Sequence, residues 1–156
     1  MKKPAIVRAA TILILLVSCA RAQQSRPLFS GTWKLVPQLS KFGPFSDRAI
    51  DVYKLKSAGT KLEIVHLRNG TRQSLPLILD GKERSVLPAS GVSSARAYWD
   101  ADTIVVEKRQ AVAGNTQVWT TRYSLSADGN RLTMQHHVQE SPLSPAFDEE
   151  RVYERR

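Results

Sequence analysis

Phe29-Ser30-Gly31-Thr32-Trp33-Lys34-Leu35 is the stretch from which the fold can be read. Phe29, Gly31, Trp33 and Leu35 fall on one side and Ser30, Thr32 and Lys34 on the other, the period-two pattern of a strand with one buried face. A glycine inside a strand marks a bend or a close approach, and here an indole stands two residues on. As the opening strand of a barrel this stretch would plug the closed end. Trp33 is then a core plug first and a wall of a ligand site second.

Upstream, residues 1–22 have the make-up of an export signal. Lys2, Lys3 and Arg8 form a positive start, residues 9–17 an apolar run, and Ala20-Arg21-Ala22 a small-x-small cleavage site. The run is well short of the ~20 residues that a spanning helix needs. Two processing routes compete. Leu16-Val17-Ser18-Cys19 resembles the bacterial lipoprotein box, which would leave Cys19 lipidated and the protein anchored to a membrane. Cleavage after Ala22 would release it, and is favoured because residues 23–28 are a short tether for an anchored barrel. The folded domain is expected over 29–156.

Cys19 is the chain's one cysteine, so the domain has no internal disulfide, thiolate zinc site or cysteine nucleophile. Four of the 23 basic residues leave with the leader, so 19 remain against 14 acidic ones, a net charge of +5. They are scattered, which argues against nucleic acid or a polybasic membrane surface as partner.

Turn signals then recur at even spacing, among them Asn69-Gly70, Asp80-Gly81, Gly114-Asn115 and Asp128-Gly129. Between them lie β-rich segments at 50–56, 61–67, 72–79, 94–99, 103–110, 116–125, 131–139 and 149–155, with a shorter piece at 83–87. Pro76 makes the third the least secure. With the opening strand this predicts nine or ten strands and an up-and-down antiparallel barrel. Proline-bearing loops at 37–48, 88–93 and 141–145 would rim its mouth.

Alternation sorts the faces. Trp119, Thr121, Tyr123 and Leu125 share one, as do Leu132, Met134, His136 and Val138, and so do Ile104 and Val106. Threonine, tyrosine and histidine among inner positions suit a small cavity or a polar end layer. His136 and His137 point to opposite sides and cannot chelate one metal. His66 meets His136 only if their strands adjoin, so no metal site is expected. Asp148-Glu149-Glu150 reads as a solvated acidic run. No nucleophile elbow or phosphate loop occurs, and neither catalysis nor a cofactor is expected. An arginine from the last strand could stack on Trp33 and close the barrel floor. Arg151 competes for that structural role and for a ligand-clamping one, with the structural role favoured.

Phe29 to Leu35, with Arg151-Val152-Tyr153-Glu154-Arg155, resembles the first and last strands of intracellular fatty-acid-binding proteins, and Gly31-x-Trp33 resembles the opening of lipocalins and other calycins. Over nearly the whole domain, Gly31 to Leu35, Ser40-Lys41-Phe42-Gly43-Pro44, Trp99 to Val106, Tyr123 to Thr133 and Val152-Tyr153-Glu154 are similar to small exported bacterial lipocalin-like proteins. The resemblance implies adjacent first and last strands. It also implies that Arg151 and Tyr153 hold a ligand carboxylate, with Arg122 as a third member. Fatty-acid-binding proteins carry a helix pair between their first two strands; residues 37–49 are too short and proline-broken to form one.

The expected protein is therefore a monomeric barrel, periplasmic or secreted, that binds a small, partly apolar molecule, a carboxylate included, without transforming it. Arg151, Tyr153 and Arg122 would hold the polar end, and Trp33, Trp119, Tyr123 and Met134 the apolar part. The alternative is a filled barrel serving as a structural or protein-interaction module of the envelope.

Overall fold

The computed structural model describes residues 26–44, 46, 52–68, 71–86, 93–112, 114–142 and 144–156. The expected leader and the Asn69-Gly70 turn lie outside them. Ten strands form among the described residues: β1 (Gly31–Leu35), β2 (Val52–Ala58), β3 (Lys61–Arg68), β4 (Thr71–Ile78), β5 (Arg84–Ser85), β6 (Ser94–Asp100), β7 (Thr103–Val112), β8 (Asn115–Leu125), β9 (Arg131–Val138) and β10 (Phe147–Arg155). The turn chemistry shows why they part where they do. Between β8 and β9, Gly129 takes φ 70°, and the Asp128 carboxylate accepts from Asn130 N–H at 3.1 Å.

The strands make one sheet in the order β4-β3-β2-β1-β10-β9-β8-β7-β6-β5, with antiparallel neighbours throughout. First and last strands pair, Trp33 opposite Arg155 and Leu35 opposite Tyr153. The sheet curls until its edges meet at one parallel bridge, Leu79 to Ala97, where Gly81 N–H donates to the Ala97 carbonyl at 2.9 Å. Pro76 is tolerated because β4 is an edge strand. Among the described residues the expected 83–87 strand is the two-residue β5, Leu87 lying outside them, and no described strand pairs with the free edge of β4.

In such a meander, connections after even-numbered strands gather at one end and those after odd-numbered strands at the other. The first end, here the lower, carries the sealed core. Phe29, Trp33, Leu55, Leu62, Ile104 and Leu132 are at most 2 % exposed, each contributing roughly 1.5–3 kcal/mol by burial. Trp33 Nε1 donates to the Phe29 carbonyl at 3.2 Å. The expected arginine clasp exists, but Arg155 supplies it rather than Arg151. Its guanidinium lies 4.2 Å from the Trp33 ring centroid and donates to the carbonyls of Ser30, Leu28 and Gly129 at 2.7, 3.0 and 3.1 Å. Register decides this, since Arg155 stands opposite Trp33. Gly31 leaves the room, for a Cβ there would come within 2.6 Å of Arg155 Nη1.

At the upper end the chain leaves β1 through a single 3-10 turn at Pro37–Leu39 and rejoins β10, Lys41 N–H donating to the Glu150 carbonyl at 2.7 Å. Phe42 then packs against the core. Among the described residues no helix pair covers the mouth.

Candidate functional site

β10 turns Glu149, Arg151 and Tyr153 inward. Arg151 Nε donates to Glu149 Oε1 at 3.1 Å and Nη2 to Oε2 at 3.4 Å, and both side chains are 5 % exposed. Glu149 also accepts from the Ser46 hydroxyl, and the Phe42 ring lies 5.8 Å from the Arg151 guanidinium carbon. Arg151 is thus a compensated charge, and an anionic group brought to it would meet the Glu149 carboxylate as well. The Glu149 placement corrects the reading of residues 148–150 as a solvated run: Asp148 is exposed, but Glu149 is buried, because it shares the inward face of Arg151 and Tyr153.

Tyr153 is fully buried, edge-on to Tyr53 with ring centroids 5.2 Å apart. Its hydroxyl lies near Arg151 but makes no well-aligned hydrogen bond among the described residues. Burial raises its pKa and that of Tyr123, so both are neutral phenols.

Higher on the inner wall enclosure is mixed, with Thr121, Gln117 and Val138 buried and Trp119 and His136 half-buried. Thr121 Oγ1 and His136 Nδ1 are 2.9 Å apart. Burial, helped by the charge of Lys108, lowers the His136 pKa to about 4, so its ring is neutral near pH 7. Lys108 follows Ile104 and Val106 on the inward face of β7, opposite Ala95 of β6 and Trp119 of β8. Trp119, Lys108, His136, Tyr53, Leu75 and His66 all keep accessible surface although they face inward. Among the described residues no three His, Cys, Asp or Glu side chains are grouped to hold a metal ion.

Where β4 and β6 part, the sheet borders a cavity of about 590 Å³. The inward residues Leu62, Leu77, Ala95 and Ala97 line it, and Lys56, Lys61, Lys82 and Arg84 stand at its rim. Alanines at 95 and 97 keep the space open; the facing wall carries leucines. The side chains sorted inward by alternation, Trp33, Trp119, Tyr123, Met134, Arg151 and Tyr153, do face in. Trp33 belongs to the sealed floor. Arg122 does not join the group. It lies exposed on the outer face, paired with Asp100 at 2.7 Å, since the alternation that turns Thr121 and Tyr123 in turns it out. Glu149, Lys108 and the two alanines were missed, though Ile104, Val106 and Tyr153 mark their faces.

No protein-family model matches the sequence, and no curated protein matches it. Solved structures do. Fatty-acid-binding protein 1 of Echinococcus granulosus superposes with a TM-score of 0.59 at 17 % identity, covering 81 % of this chain and 96 % of that one. Lipid binding protein 8 of Caenorhabditis elegans gives 0.58 at 13 %, covering 82 % and 95 %. Human cRBP IV gives 0.58 at 14 %, covering 82 % and 98 %. At such identities the likeness shows the fold alone, a ten-stranded antiparallel barrel that these proteins share.

Proposed function

We propose that this barrel binds a small, largely apolar molecule and does not transform it. The observation that carries the reading is the cavity of about 590 Å³ lined by Leu62, Leu77, Ala95 and Ala97, within the ~300–1,000 Å³ usual for ligand sites. The apolar body would lie there and against Trp119, Tyr123 and Met134, with the polar end among the polar groups of the upper wall. Trp33 is left out, because it is sealed beneath the Arg155 clasp. Two of the structural neighbours are named for binding fatty acids or lipids, which supports binding over catalysis. The positively charged, apolar start of the sequence supports work outside the cytoplasm, released or tethered through Cys19.

Native mass spectrometry of protein purified from cells without detergent tests this. The expected result is a reproducible added mass that organic extraction removes. A clean unliganded mass, with no uptake from a lipid and metabolite mixture, would support the filled interaction module instead.

A further inference from the structure

The charges on the barrel's inner wall do not balance. Glu149 and Arg151 neutralise each other at 3.1 Å. Arg155, at the closed end, is satisfied by three carbonyls and the Trp33 ring. His136 is neutral near pH 7. Lys108 remains, and no hydrogen bond or ion pair engages its ammonium among the described residues.

Its position is informative. Ala95, directly opposite on β6, lines the cavity, and facing residues of paired strands have Cβ atoms ~5 Å apart. Lys108 is only half-buried by surface, yet its ammonium is enclosed enough that loss of solvent lowers its pKa. Both hold if the side chain lies along the inner wall beside Ala95, at the margin of the cavity that Ala95 lines. An ammonium enclosed without a counter-charge is unfavourable, and a carboxylate brought against it removes the penalty while forming a charge-assisted hydrogen bond.

We propose that Lys108 is the residue that holds the ligand's head group, and that the ligand is an amphipathic molecule bearing a single negative charge. This rests on the binding reading above and moves the head from β10, where the sequence resemblance puts it, to β7. One uncompensated positive charge matches one carboxylate, whereas a dianionic head would leave excess charge enclosed. The apolar body then lies over Ala95 and Leu77. At Arg151 the same acid would sit beside the Glu149 carboxylate, a repulsive arrangement.

The test compares dodecanoate with 1-dodecanol, equal in chain length, by titration calorimetry on wild type, Lys108→Met, Lys108→Arg and Arg151→Met. Wild type is expected to prefer dodecanoate. Lys108→Met should weaken dodecanoate roughly tenfold or more, leave 1-dodecanol within about twofold, and melt no lower than wild type. Lys108→Arg should recover most of the loss. If Lys108→Met weakens both compounds alike or neither, or if Arg151→Met alone loses the acid selectively, the assignment to Lys108 is wrong while binding stands. If wild type takes up neither compound, the binding reading falls with it.

Discussion

The two ends of the barrel are built from the same alternating strands and differ in what fills them. At the lower end, inward positions hold Phe29, Trp33, Leu55 and Leu132, all sealed from solvent, with Arg155 clamped across the indole. At the upper end, inward positions hold Lys108, Trp119, His136 and His66, which keep accessible surface. The cavity between β4 and β6 lies lower on the wall, bordered by Ala58, Lys61 and Leu62 near the floor and by Ala95 and Ala97 across the gap. The sealed core supplies stability, and space is left along the upper wall and in the side gap between β4 and β6. A large apolar core at one end can carry a few unsatisfied polar groups at the other.

Matched truncations give the largest contrast. Trp33→Ala should cost about 3–5 kcal/mol in urea unfolding, the usual loss for a sealed aromatic. Trp119→Ala, on the half-buried upper wall, should cost about 1–2 kcal/mol yet weaken ligand uptake more than its stability loss accounts for. Equal stability losses would erase the distinction between the ends.

Acid sharpens the comparison, because His136 belongs to the upper wall. Its pKa lies at about 4 in the folded protein against an ordinary 6.5, so the unfolded chain binds the proton more readily between those values. Stability should therefore decline as pH falls from about 6.5 toward 4, by up to roughly 3 kcal/mol. His136→Gln should flatten that part of the profile, measured as urea midpoints across pH. An unchanged slope in the variant would place the acid sensitivity elsewhere.

Much of this division is visible in the sequence, and the rest depends on facts that local pattern does not carry. Period-two alternation correctly sorts Trp119, Tyr123, Met134 and Tyr153 inward, and the turn residues divide the strands. The same alternation also sends Arg122 outward and Glu149 inward, but an arginine's chemistry and an acidic triplet's polarity are persuasive enough to obscure it. Lys108 is found the same way, by extending Ile104 and Val106 one step. The choice between Arg151 and Arg155 as the clasp requires the register of β1 on β10, a pairing across most of the chain. The cavity requires more still, the divergence of β4 from β6 after a two-residue β5. No local pattern specifies a gap between two edges.

Ala95→Leu tests the account most directly, because it narrows the cavity from the β6 wall while leaving Phe29, Trp33 and Arg155 unchanged. The prediction is a protein that melts within a few degrees of wild type and binds 1-dodecanol several-fold more weakly. Wild-type affinity in a folded Ala95→Leu protein would contradict it and place the ligand elsewhere.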